Sequence, residues 1–227
     1  QMGVDLAEYY YKEGVELDAV HILWIVQEFC NRGTLVDAVE RGCMRTSRHI
    51  HSPPDMMVVY RTLKDIAEGM AAVHAQGIIH CDLNGRNVML TASDADSRGF
   101  VAKVADFGLA RVCHGEQISP CKLLGTVSHI PPELFTRQIL SAAGDVWAFG
   151  VTMWEMTSGF RAYCGRNNCT IKQIVTSGKG ALEPAQSTPQ AFKDILASCM
   201  RDDPMARPTF PELCVSLERA IEEQSRA

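Results

Sequence analysis

The stretch that decides the fold is His80-Cys81-Asp82-Leu83-Asn84-Gly85-Arg86-Asn87, followed 24 residues after Asp82 by Asp106-Phe107-Gly108. Between the two clusters runs Val88-Met89-Leu90, apolar and strand-like, and Pro131-Pro132-Glu133 lies beyond. Asp82 and Asn87 are five residues apart on one loop, so both can face the same group. Taken singly, Asp82 reads as a turn former and Asn87 as a cap. Their order and spacing, with Asp106 further on, give them a joint meaning that neither has alone.

Working upstream, Asp55 caps a predicted helix in which Val59, Leu63, Ile66, Met70 and Val73 make one buried face. Gly77 closes it. Thr34 caps a short predicted helix from Leu35 to Arg41, and the basic, polar stretch from Arg41 to Pro54 reads as a loop. The first 30 residues look extended. Aromatic-rich Ala7 to Lys12 and β-branched Val20 to Phe29 flank a turn-capable segment, which predicts a hairpin.

Downstream, the chain is predicted to be helical from Ser141 to the end. Val146, Phe149, Met153 and Met156 form a stripe that Gly159 ends. Thr188-Pro189 reads as a cap followed by Pro in the first turn, with Phe192, Ile195, Leu196 and Cys199 at helical spacing. Thr209 to Glu212 resembles a capping box that opens a last helix through Phe210, Leu213, Leu217 and Ile221. These stripes read as core packing rather than ligand sites.

Composition narrows the function classes. A chain of 227 residues suits one full-sized domain or two small lobes and can bury a core without disulfide or metal staples. A net charge of −5 argues against a broad nucleic-acid surface. The longest apolar run, Val146 to Trp154, stops at Glu155 and is too short to span a bilayer. No basic start followed by an apolar core marks a signal peptide. The nine Cys include no C-x-x-C pair, so reduced thiols and a cytoplasmic location are expected. Cys164 and Cys169, the nearest pair, lack partners at zinc-site spacing. The opening Gln1 leads us to expect a piece of a longer chain, or a processed or tagged product.

On these residues the chain resembles the protein kinase family, whose catalytic loop reads H-R-D-L-x-x-x-N and whose metal motif reads D-F-G. The resemblance implies an α+β, protein-kinase-like fold. Residues 1–29 would hold a remnant β-hairpin of the N-terminal lobe and the lobe junction, and residues 30–227 the helical C-terminal lobe. It also implies transfer of the ATP γ-phosphate to a protein hydroxyl, a reaction that needs positioning and charge neutralisation more than covalent chemistry. Asp82 is then the base that accepts the hydroxyl proton. Asn87 and Asp106 are the hard oxygen ligands of Mg²⁺. The backbone of Glu28 and Cys30 would meet the adenine edge, with Gln27 beside that pocket. Arg86 has two readings: it neutralises charge on the transferred phosphate, or it is a surface arginine. The resemblance further implies a core position for His80 and Phe107, a buried Glu133–Arg207 ion pair, and an Asp145 that holds the catalytic-loop backbone. The implied partners are ATP, a protein substrate and upstream regulatory domains on the same polypeptide, with no nucleic acid and no membrane insertion.

The departures matter as much. The family's Gly-rich loop, strand Lys and helix Glu have no counterpart here, and Lys12 reads as a solvated strand residue. The 227-residue chain alone is therefore expected to transfer phosphate weakly. Cys81 stands where the family has Arg, the residue that often gathers an activation-segment phosphate. Gly125-Thr126 ahead of Pro131-Pro132-Glu133 resembles serine/threonine kinases, whereas Arg86 resembles the tyrosine-kinase loop. The mixture fits the tyrosine-kinase-like branch, whose members mostly act on Ser or Thr. Ser119, Thr126 and Ser128 are activation-segment hydroxyls, and Cys113 and Cys121 are thiols on the same segment. The competing reading is a non-catalytic pseudokinase-type binding or regulatory module.

Overall fold

The computed structural model describes residues 26–47, 49, 52–113, 115, 117–119, 123–178 and 182–226. Most of the predicted hairpin, including Lys12, therefore lies outside the described residues, as does Cys121.

The first described helix, α1 (Leu35–Glu40), starts where the sequence places it. Thr34 Oγ1 accepts the Asp37 N–H at 3.2 Å while Asp37 Oδ2 accepts the Thr34 N–H at 2.9 Å, a reciprocal capping box. It ends one residue earlier than predicted, with Arg41 as its C-cap. Helix α2 (Met56–Ala75) begins at Asp55, whose Oδ1 accepts the N–H groups of Met57 and Val58. Val59, Leu63, Ile66 and Met70 are buried as the spacing requires, and Val73 only partly. Each fully buried aliphatic of this face contributes about 1.5–3 kcal/mol.

Four short strands follow: β1 (Ile78–Ile79), β2 (Val88–Ala92), β3 (Phe100–Val104) and β4 (Arg111–Val112). They form two antiparallel pairs, β1 with β4 and β2 with β3, the latter in register from Val88 opposite Val104 to Ala92 opposite Phe100. These pairs carry the two polar clusters. The loop from His80 to Asn87 leaves β1 and enters β2, and Asp106-Phe107-Gly108 leaves β3.

The rest is helical: α3 (Pro132–Arg137), α4 (Ala142–Ser158), α5 (Asn168–Thr176), α6 (Gln190–Cys199) and α7 (Phe210–Arg226), with short 3-10 turns at Val127–His129 and Pro204–Ala206. Helix α4 is the central post. It is apolar on nearly every side, and burial runs from Gly144 continuously to Met153. Gly150 lets α6 press close, since a Cβ there would stand 2.9 Å from the Met200 side chain. Helices α2 and α7 pack along each other, and Phe149, Phe192, Phe210 and Tyr60 fill the space between the helices.

Three local expectations are corrected. The helical run after Ser141 is broken by loops before α5, α6 and α7. Pro189, not Thr188, occupies the N-cap of α6, with no side-chain capping bond since a proline ring has no acceptor, and Thr188 is buried beside it. At α7 one half of the capping box forms: Glu212 Oε2 accepts the Thr209 N–H at 2.7 Å and the Thr209 hydroxyl at 2.9 Å. No described helix is long and apolar enough to cross a membrane. All eight described cysteines are free.

Candidate active site

The loop from His80 to Asn87 is held from below by Asp145, on the first turn of α4. Asp145 is 2% exposed. Its Oδ2 accepts the His80 N–H at 2.8 Å and its Oδ1 the Cys81 N–H at 3.0 Å, and His74 Nε2 lies 2.8 Å from Oδ2. These bonds hold the chain through the unusual turn at Cys81, where φ is +68°. Cys81 thereby turns its thiol into the interior. Burial, reinforced by the Asp145 charge, pushes that thiol up to about 12.

His80 is fully buried. Its Nδ1 accepts the Asp82 N–H at 3.3 Å and its Nε2 lies 3.0 Å from the Ala105 carbonyl oxygen, which can only accept, so both ring nitrogens are bonded. Its ring also sits 5.0 Å from the Phe107 ring. The structural reading of His80 stands. Phe107 departs from the core position implied for it: it is 43% exposed among the described residues, touching the interior through His80.

Asp82 is the most heavily bonded side chain of the loop. Oδ1 accepts the Thr126 N–H at 2.9 Å, the Thr126 hydroxyl at 2.7 Å and the Asn84 amide at 3.1 Å. Among the described residues, Oδ2 accepts only the Asn87 amide, at 3.1 Å. The second oxygen is thus the one with spare accepting capacity. Asn84, 2% exposed, also bonds Thr126 Oγ1 at 3.2 Å and accepts the Arg86 N–H at 2.9 Å, so it ties the loop to the Thr126 segment. Sequence reading assigned Asn84 no role of its own. Its bridging role was visible in no spacing, because its partner Thr126 is 42 residues away.

Asn87 and Asp106 are brought together by the β2–β3 ladder. The Ala105 N–H donates to the Asn87 carbonyl at 2.8 Å, so the next residue, Asp106, begins its turn beside Asn87. Asp106 has φ +61°, and its Oδ1 accepts the Gly108 N–H at 3.1 Å. Its other carboxylate oxygen and the Asn87 amide oxygen have no bond to a described residue. Two such oxygens suit a hard cation that takes its remaining ligands from phosphate and water. No cluster of three or more His, Cys, Asp or Glu side chains that would form an all-protein cage occurs among the described residues.

The other predicted site residues are placed less tightly. The Glu28 carboxylate lies 2.6 Å from Lys103 Nζ on β3, an exposed ion pair. The backbone groups of Glu28 and Cys30 bond no described residue. Arg86 is exposed, and its guanidinium bonds no described residue; its charge is felt instead at Glu155. Glu133 and Arg207 form the predicted buried pair, bidentate at 2.8 and 2.9 Å, with side chains 3% and 0% exposed. Below the Thr126 segment lies a group that sequence reading missed. His129 is wholly buried, 3.8 Å from Glu155 Oε2, and Arg161 Nη1 stands 3.5 Å from the same oxygen. Burial first, and Arg161 second, push the His129 imidazole down to about 3. Burial raises the Glu155 carboxyl.

A family model described as protein tyrosine and serine/threonine kinase matches residues 9–217. The chain belongs to the protein kinase family. Kinase relatives of both specificities are similar to it. The mouse tyrosine-protein kinase TXK is 32% identical over 88% of this chain and 36% of its own length. The probable LIM domain-containing serine/threonine-protein kinase of Dictyostelium discoideum is 35% identical over 70% of this chain and 23% of its own. The angiopoietin-1 receptor of Danio rerio is 29% identical over 89% of this chain and 18% of its own. The chain thus spans only a minor part of each of these kinases.

Proposed function

We propose that this chain is the helical lobe and lobe junction of a protein kinase that moves the ATP γ-phosphate to Ser or Thr hydroxyls of a protein substrate. The observation that carries the reading is the double bond set from Thr126 to Asp82 Oδ1. It leaves Oδ2 as the oxygen for a substrate hydroxyl proton and lays the Thr126 segment against the loop as a substrate platform. Asp82 is the catalytic base. Asn87 and Asp106 would hold Mg²⁺, which when bound neutralises phosphate charge. Asn87 also orients Asp82 through its amide hydrogens. The backbone edge of Glu28 and Cys30 receives the adenine, and Arg86 stands at the rim, where a transferring phosphate would feel its charge. A cytoplasmic location belongs to the same reading, supported by the free thiols.

The Ser/Thr preference rests on Thr126, whose bonds to Asp82 accompany the resemblance of Gly125-Thr126 to serine/threonine kinases. A peptide library with Ser, Thr and Tyr acceptors tests it: the reading expects phosphate on Ser and Thr, and predominant labelling of Tyr would overturn it. The second reading is a non-catalytic module. It predicts nucleotide or partner binding with no phosphate transferred to any acceptor.

A further inference from the structure

A cavity of about 280 Å³ opens between α4, α5 and the turn after α6. Trp147, Tyr163, Ile174, Val175 and Met200 line it, with Arg201 and Asp202 at its mouth. Trp147 is 4% exposed. Its indole nitrogen and the Tyr163 phenol oxygen are both buried, and neither has a hydrogen-bond partner among the described residues. An indole nitrogen can only donate. Burial pushes the Tyr163 phenol up to about 12, so it keeps its proton and can donate too. Native proteins leave few buried polar atoms unpaired, and two in one cavity ask for an acceptor.

The space is far larger than one water needs, since a water's share of liquid volume is about 30 Å³. The backbone adds a second sign. Tyr163 has φ +57°, a left-handed conformation that a bulky side chain rarely adopts. The chain bears that strain while holding the ring at the cavity wall. The walls are otherwise aliphatic, and the opposite charges of Arg201 and Asp202 give the mouth no net sign.

We propose that this cavity binds a small molecule with a short apolar body and one acceptor head, a carboxylate or an amide, received by the Trp147 indole N–H and the Tyr163 hydroxyl. The body packs on Ile174, Val175 and Met200. The site is independent of phosphate transfer and stands or falls apart from it.

The test is a titration of the full chain, labelled with ¹⁵N at the indoles of its three Trp, with sodium hexanoate and separately with hexanamide. Trp24→Phe and Trp154→Phe variants assign the Trp147 signal. The expected result is a saturable shift of that signal with at least one probe, and binding weaker by roughly three- to tenfold in Tyr163→Phe, the effect of one lost hydrogen bond. Equal affinity in Tyr163→Phe overturns the proposal. So does a Trp147 signal that neither probe moves, which would show an internal partner or trapped water on the indole.

Discussion

Thr126 meets Asp82 twice on one oxygen: its N–H at 2.9 Å and its hydroxyl at 2.7 Å both end on Oδ1. A side chain and a backbone group of the Thr126 segment thereby orient the carboxylate proposed to take the substrate proton. Thr126→Ala removes the hydroxyl bond and keeps the backbone bond, so the loss is about 0.5–1.5 kcal/mol of folding stability. Turnover should fall as well, because Asp82 loses one of the bonds that orient it. Thr126→Ser restores the hydroxyl and should recover both. Parallel denaturant melts and rate measurements check this. A Ser variant no better than Ala contradicts the role given to the hydroxyl.

Gly125 makes that contact possible. Its φ is +94°, and a Cβ there would stand 2.5 Å from the Cys81 carbonyl oxygen, which is fixed backbone. Gly125→Ala therefore forces the Thr126 segment off the loop, at a cost of about 1–3 kcal/mol or more. The check is the denaturation midpoint together with phosphate transfer, and both should drop. An unchanged midpoint would mean that the segment packs differently.

The Glu133–Arg207 pair predicts an asymmetry. Arg207→Met leaves a buried carboxylate with no counter-charge and should destabilise by about 3–5 kcal/mol. The joint variant Glu133→Gln with Arg207→Met should recover part of that loss. A thermal-melt double-mutant cycle reads it. Equal damage in the single and joint variants would deny the coupling.

His129 gives a pH dependence. The unfolded chain takes up a proton on this ring near its ordinary 6.5, whereas the folded chain refuses it down to about 3. The folded form therefore binds fewer protons in that window, and its stability, complete above about pH 6.5, is lost as pH falls toward 3. Glu155 works the other way, since its raised carboxyl keeps its proton in the folded chain to higher pH. His129→Gln removes the first effect and leaves the second. Between about pH 7 and pH 5 the wild type should lose on the order of 1–2 kcal/mol more than the variant. Identical pH profiles would contradict the buried neutral ring.

Much of this was legible in the chain. The spacing of Val59, Leu63, Ile66 and Met70 marked α2, because burial of one helix face writes a period into neighbouring residues. Asp82, Asn87 and Asp106 were legible because a loop and a short ladder bring them together with few residues between. The Asp145 and Glu133–Arg207 contacts followed from the family resemblance alone, since 65 and 74 residues separate the partners and no local pattern records them. The bridge from Asn84 to Thr126 and the His129–Glu155–Arg161 group were missed for the same reason. Thr188 was misread because a Thr before Pro does not fix the helix start to the residue, and the N-cap falls on Pro189.

The central claim is that Asp82 carries phosphate transfer. The most direct measurement compares the whole kinase proposed to contain this chain with its Asp82→Asn variant in a labelled-ATP transfer assay, with nucleotide binding measured alongside. Asn keeps the shape and the Thr126 contact but cannot take a proton. Transfer should fall by about 10²–10⁴-fold while nucleotide binding holds. Transfer by the variant at the wild-type rate, or none by either protein with nucleotide bound, would contradict it.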